Sequence, residues 1–250
     1  MADAAKYVVV TGAAGGIGQA VVHTFAAAGY KVIGTDRMPA PEGSPCSLWI
    51  EVDLERTVDD AAYAAGLMAS IRTHVGNGAL HALVNNAAVQ LLGGVDSLTR
   101  DDWRQTLNVN LVAPFIWAQS LLPELEAARG CVVNISSIHA RLTKRNFVAY
   151  STSKAALSGM TRALAVDVGD RIRINAIEPA AIQTPMLAAG FAGRPDLVAQ
   201  LESAHPAGRI GSAYEVANLA VALCSGKLGF VNGACIPIDG GIGARLHDPD

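Results

Sequence analysis

Tyr7-Val8-Val9-Val10-Thr11-Gly12-Ala13-Ala14-Gly15-Gly16-Ile17-Gly18 decides how the rest of the chain is read. The β-branched run makes a short buried strand. It breaks at once into a glycine-rich turn. Ala20, Val21, Val22, Phe25 and Ala26 then recur at helical period as far as Gly29. Strand, glycine turn and helix in that order make a phosphate site. The backbone can approach a pyrophosphate closely there, and the helix N-terminus favours negative charge. Gly12, Gly15, Gly16, Ile17 and Gly18 are therefore candidate dinucleotide contacts.

Lys31-Val32-Ile33-Gly34-Thr35 is the expected second strand, ending in Asp36. An acidic side chain at that position accepts hydrogen bonds from the ribose hydroxyls of an adenosine and repels a 2′-phosphate. That selects NAD as cofactor. Arg37 follows directly and is the feature that favours NADP instead. Leu48-Trp49-Ile50-Glu51-Val52 leads to Asp53, a candidate adenine contact, with Leu54 beside it.

Further along, residues 58–75 read as a helix and Leu80-His81-Ala82-Leu83-Val84 as a fourth strand. It runs into Asn85-Asn86-Ala87-Ala88, whose amides can bridge neighbouring strand ends. Thr99-Arg100-Asp101-Asp102 is a capping signature that opens a helix through Trp103, Leu107, Leu111 and Phe115. Pro114 falls inside it and has no N–H to offer the carbonyl of Asn110. Cys131-Val132-Val133-Asn134-Ile135-Ser136 is a buried strand delivering Ser137, and 150–168 is a helix. Residues 171–177 give a sixth strand followed by Glu178 and Pro179; 229–238 give a seventh, closing in Asp239-Gly240-Gly241. Strands alternate with helices throughout. The expected fold is α/β, a Rossmann-type doubly wound parallel sheet of about seven strands with helices on both faces. A single domain spans 1–250, with 186–205, which carries two glycines and a proline, as a lid over a pocket.

The candidate chemistry centres on Tyr150-Ser151-Thr152-Ser153-Lys154. Positions i and i+4 share a helix face. An ammonium beside a phenol favours the phenolate, so Lys154 is expected to lower the pKa of Tyr150. Such a tyrosine takes a proton from an alcohol or returns one to a carbonyl. Ser137 can hydrogen-bond the same substrate oxygen.

Composition sets bounds. The chain has 250 residues, 51% hydrophobic and 16% charged, with a net charge of −3. Neither nucleic acid nor an anionic membrane surface is an expected partner. Cys46, Cys131, Cys224 and Cys235 are scattered, with no Cys-x-x-Cys and no histidine at ligand spacing, so no metal site is expected. Free thiols fit a reducing compartment, and no apolar signal or 18-residue uncharged apolar run occurs; the expected location is cytoplasmic.

With these residues in view, the chain resembles the short-chain dehydrogenase/reductase family over nearly its whole length. Thr11-Gly12-x-x-x-Gly16-Ile17-Gly18 matches the family's cofactor turn. Asn85-Asn86-Ala87 matches its Asn-Asn-Ala-Gly motif, with Ala88 for the glycine. Asn110, Ser137, Tyr150 and Lys154 match its four catalytic positions. Pro179 matches its Pro-Gly turn, with Ala180 for glycine, and Thr184 the threonine that holds the nicotinamide carboxamide. The resemblance implies hydride transfer at the nicotinamide, Tyr150 as general acid/base, Lys154 on the nicotinamide ribose, and a homotetramer. Asn86, Ala87 and Ile182 complete the implied cofactor set.

The expected function is NAD-dependent interconversion of a secondary alcohol and a ketone. The alternatives are an NADP-dependent ketone or 3-oxoacyl reductase, and a cofactor-binding regulator without catalysis. Substrate contacts are expected from Gln90, Leu91, His139, Phe147, Ala181, Met186, Leu187 and Phe191, mostly apolar. Arg141, Lys144 and Arg145 form a basic cluster in the loop after Ser137, read either as a solvated face or as a carboxylate site.

Overall fold

The structure, a computed structural model, describes residues 5–191 and 193–246, with Met186 described by its backbone alone. The polar tail beyond Leu246 lies outside the described residues. Seven strands form one parallel sheet: β1 (Lys6–Thr11), β2 (Lys31–Asp36), β3 (Cys46–Glu51), β4 (Ala79–Asn85), β5 (Cys131–Ile135), β6 (Arg173–Pro179) and β9 (Cys235–Ile238). Their order is β3-β2-β1-β4-β5-β6-β9. The order reverses between β1 and β4, and a crevice opens there at the carboxyl ends of the strands. The expected Rossmann-type single domain is what forms. A two-stranded ribbon, β7 (Ile182–Gln183) with β8 (Gly211–Ser212), adds a feature that the sequence reading lacks.

Side-chain alternation along each strand feeds two cores. Val9, Ile33, Leu83 and Val132 face α3 (Ala61–Val75), α5 (Ala113–Ser120), α6 (Leu122–Ala127) and α7 (Val148–Asp167). Val8, Val10, Val84 and Val133 face α1 (Gly16–Ala27) and α10 (Ala213–Cys224). Central strands buried on both faces explain the near-continuous Val/Ile/Leu runs.

Several boundaries differ from the sequence reading for local reasons. The helix expected at 58–75 is two helices, α2 (Leu54–Asp59) and α3. Asp60 ends one and caps the other by accepting from the Tyr63 N–H. The Thr99 capping box forms with Asp102 and starts α4 (Arg100–Leu107). Residues 108–112 then widen into a π turn, with the Ala113 N–H reaching the Asn108 carbonyl. Pro114, which cannot donate, sits two residues after that turn.

The seventh strand is shorter than the expected 229–238, because side chains occupy the ladder. The Ile174 N–H donates to Asn232 Oδ1 at 2.8 Å, and Asn175 Nδ2 donates to the Val231 carbonyl at 2.9 Å. Gly233 follows with φ +73°. Regular pairing resumes only at Cys235. Among the described residues no helix is long and apolar enough to cross a membrane.

Candidate active site

One cleft of about 990 Å³ lies along the carboxyl ends of the strands. Gly12, Gly15, Gly16, Ile17, Gly18, Asp36, Arg37, Asp53, Leu54, Asn86, Ala87, Pro179, Ile182 and Thr184 all line it, as do Ser137, Tyr150 and Lys154. The fit of this wall to a dinucleotide rests on close approach and charge. Gly12 has φ +65°, and a Cβ there would sit 2.7 Å from Ala87 Cα. Asn86 Nδ2 donates to the Thr11 and Gly12 carbonyls at 3.0 and 2.9 Å, tying the β4 end to the turn. Gly15 caps α1 without a side chain, and no acid occupies the first turn. The free N–H groups of that turn point a partial positive charge at the cleft.

Asp36 Oδ2 accepts from the Ala14 N–H at 3.0 Å and Oδ1 from the Met38 N–H at 3.1 Å. Each oxygen keeps a lone pair for a ribose hydroxyl. Arg37 is exposed on the same wall. Asp53 also has a structural task, capping α2 by accepting from the Glu55 and Arg56 N–H groups. Thr184 Oγ1 accepts from the Leu187 N–H at 3.2 Å, which leaves its O–H free to donate. Ala88 and Ala180 line the cleft where the family motif has glycine. Neither has positive φ; among the described non-glycine residues only Arg129 and Asn146 do. The two alanines therefore fit without backbone strain.

Asn110 is not in the cleft wall. It is fully buried behind it, with Oδ1 accepting from the Val89 N–H at 2.8 Å. Its Nδ2 donates to the Val89 carbonyl at 2.9 Å and to Ser153 Oγ at 3.0 Å. The π turn thus pins the segment after β4 to α7, beside Lys154. Asn85 bridges β4 to β5 through Asn134 Oδ1 at 2.9 Å.

Lys154 is 2% exposed, and its Nζ donates to the Ile135 carbonyl at 2.8 Å. Burial pulls its pKa down to about 8. The Tyr150 phenol behaves opposite to the sequence expectation. Burial pushes it above its ordinary value, and the Ser137 hydroxyl nearby offsets part of the rise. The lysine does not lower it because Nζ lies 5.8 Å from the ring centroid, is bonded to Ile135, and is itself discouraged from carrying charge.

The substrate half of the cleft carries Gln90, His139, Phe147, Ala181, Leu187 and Phe191. Leu91 is not in the wall; Leu92 is. The side chain of Met186 lies outside what the structure describes. His139 stacks on Phe147 with ring centroids 4.4 Å apart and meets Tyr150 edge-on at 5.7 Å. Burial, with Lys144 nearby, pushes its pKa down to about 4. The wall residues that sequence reading missed include Val109, Leu142, Thr143, Leu201, His205 and Ile242. They come from four separate segments, and no local motif marks them. The basic cluster divides: Lys144 lies over the Phe147 ring at 4.7 Å, while Arg141 turns to Glu178.

Residues 12–243 match the family described as enoyl-(acyl carrier protein) reductase. Protein FixR of Bradyrhizobium diazoefficiens is 38% identical over 94% of this chain and 86% of its own. The trans-4-hydroxycyclohexanecarboxylate dehydrogenase of Sinomonas cyclohexanicum is 30% identical over 95% of this chain and 93% of its own. The solved structure of Thermoplasma acidophilum aldohexose dehydrogenase superposes with a TM-score of 0.91 at 30% identity, covering 99% of this chain and 97% of that one. With its seven-stranded sheet and most of its motif residues gathered on one cleft, the chain belongs to the short-chain dehydrogenase/reductase family of NAD(P)-dependent oxidoreductases.

Proposed function

We propose that the protein interconverts a secondary alcohol and a ketone, with NAD as its hydride partner. The observation that carries this reading is the meeting of Ser137, Tyr150 and Lys154 in the same cleft as Asp36. Bound NAD supplies the hydride acceptor and a positive ring charge; the chain supplies position and proton transfer. Tyr150 takes the hydroxyl proton in oxidation and returns it in reduction. Ser137 Oγ, already accepting from the His139 N–H at 3.1 Å, can turn its O–H from Tyr150 to the substrate oxygen. Lys154 gives its remaining N–H groups to the nicotinamide ribose. Asn110 positions rather than touches, through Ser153. Residues 186–205 serve as the lid, carried by α8 (Pro185–Gly190) and α9 (Pro195–Ala204).

Asp36 supports NAD over NADP, since a carboxylate facing a 2′-phosphate is repelled. The NADP-dependent reductase remains the second reading, favoured by Arg37 on the same wall. A homotetramer belongs to the proposal, supported by β9 at the sheet edge and by fully exposed Phe230 next to it. Four free cysteines support a reducing, cytoplasmic setting. The test is a screen of alcohols and ketones with NAD(H) and NADP(H), read by nicotinamide absorbance. Turnover of cyclic secondary alcohols with NAD supports the proposal. A higher kcat/KM with NADP on every active alcohol contradicts the cofactor assignment.

A further inference from the structure

His205 closes α9 and is 3% exposed, yet it is among the residues that line the cleft. Nδ1 lies 2.7 Å from the Leu201 carbonyl. A carbonyl only accepts, so Nδ1 carries the proton, and in the neutral ring Nε2 is left as a bare acceptor. That Nε2 is buried and has no partner among the described residues. Buried polar atoms are nearly always paired, so an orphan acceptor in a cleft wall asks for a donor. The ring is not loose. The Nδ1 bond holds it to α9, and the Ala207 N–H donates to the Gly240 carbonyl at 3.0 Å, fixing the next residues to the β9 end.

Leu187, Phe191, Leu201 and Ile242 share this wall, and none has a side-chain donor to offer. Gln90 and Thr143, polar groups elsewhere on the wall, keep contact with solvent. Resting on the alcohol-oxidoreductase reading above, we infer that His205 Nε2 accepts a hydrogen bond from a second hydroxyl of the substrate. The substrate class is then a diol or polyol, its remote hydroxyl held beneath the lid, and not a simple mono-alcohol. Because Nε2 is shut off from solvent, accepting that bond requires α9, which carries the ring, to move as the substrate binds.

The test compares kcat/KM for cyclohexanol with that for 1,2-, 1,3- and 1,4-cyclohexanediol, in wild type, His205→Phe and His205→Gln. A site built around a hydroxyl rejects the analogue that lacks it. The expected result is a wild-type preference for at least one diol of roughly 10- to 100-fold. In His205→Phe that ratio falls toward one. In His205→Gln, whose amide oxygen still accepts, part of it survives. A diol ratio that stays at its wild-type value in His205→Phe overturns the inference, as does a wild type that shows no diol preference. If His205→Phe does not fold, His205→Gln decides: complete loss of the preference there, with an unchanged melting temperature, contradicts the acceptor role. Absence of turnover on cyclohexanol and on every diol overturns the alcohol-oxidoreductase reading itself, and this inference with it.

Discussion

Arg141 Nε lies 2.7 Å from Glu178 Oε2, and that carboxylate is 1% exposed. The pair joins the loop after Ser137 to the residue before Pro179. From Glu178 the contacts continue inward. Ser158 Oγ donates to Glu178 Oε1 at 2.9 Å and meets Ser136 Oγ at 2.9 Å. Ser136 Oγ also donates to the Lys154 carbonyl at 3.0 Å. One polar chain therefore links the β5 end, α7 and the β6 end, the three places that carry Ser137, Lys154 and Pro179. Arg141 Nε is thus tied to structure, while its side chain stays 46% exposed.

Arg141→Ala is expected to strand the buried Glu178 charge. The arginine side chain is itself 46% exposed, so screening limits the cost to about 1–3 kcal/mol of unfolding free energy. The double variant Arg141→Ala with Glu178→Gln should recover much of it, because the charge is gone and the Ser158 contact can be kept. Chemical denaturation of the three proteins checks this. A double variant less stable than Arg141→Ala would mean the carboxylate is satisfied without Arg141.

Lys154 makes stability depend on pH. Burial lowers its folded pKa to about 8, against an ordinary value of 10.5. Between those values the unfolded chain binds more protons, so this group's contribution to stability rises with pH across that window. Below about 8 the buried charge is a standing cost. The difference in melting temperature between wild type and Lys154→Met should therefore move in favour of wild type as pH rises from 8 to 10. A flat difference would show that Lys154 is not titrating there.

Asp36→Ala should narrow the NAD/NADP ratio of kcat/KM by about 10-fold or more, since repulsion of one unit charge at a desolvated site is worth about 1–2 kcal/mol. The check is the ratio in both proteins on one alcohol. No change would shift the choice of cofactor to Arg37.

His139 should stay neutral through the working range, its pKa held near 4 by burial among Phe147 and Tyr150. Its unfolded pKa of 6.5 is higher, so its contribution to stability is lost as pH falls from 6.5 toward 4. The pH profile of kcat/KM should then show no limb near 6.5 that disappears in His139→Phe.

The sequence carried the frame of the molecule well where chemistry is local. The glycine turn, Asp36 at a strand end and the Thr99 capping box depend on neighbours within a few residues, and they stand where the spacing put them. What the sequence left out is long-range. The shortening of β9 depends on Asn175 and Asn232 each bonding backbone of the opposite segment, far along the chain. His205 lines the cleft next to the turn after β9, where the Ala207 N–H bonds the Gly240 carbonyl, and no spacing in the chain announces that. The rise of the Tyr150 phenol is a burial effect, invisible to a motif that encodes only the lysine beside it.

The proposed chemistry rests on the Tyr150 hydroxyl moving the proton. Steady-state turnover and NAD affinity of Tyr150→Phe test it most directly, on whichever cyclic alcohol the wild type oxidises best. The variant keeps the ring against His139 and Phe147 and loses only the titrating oxygen. The account predicts a fall in kcat of roughly 100- to 10,000-fold, with NAD binding within about twofold of wild type. A Tyr150→Phe enzyme that turns over at near wild-type rate would contradict it.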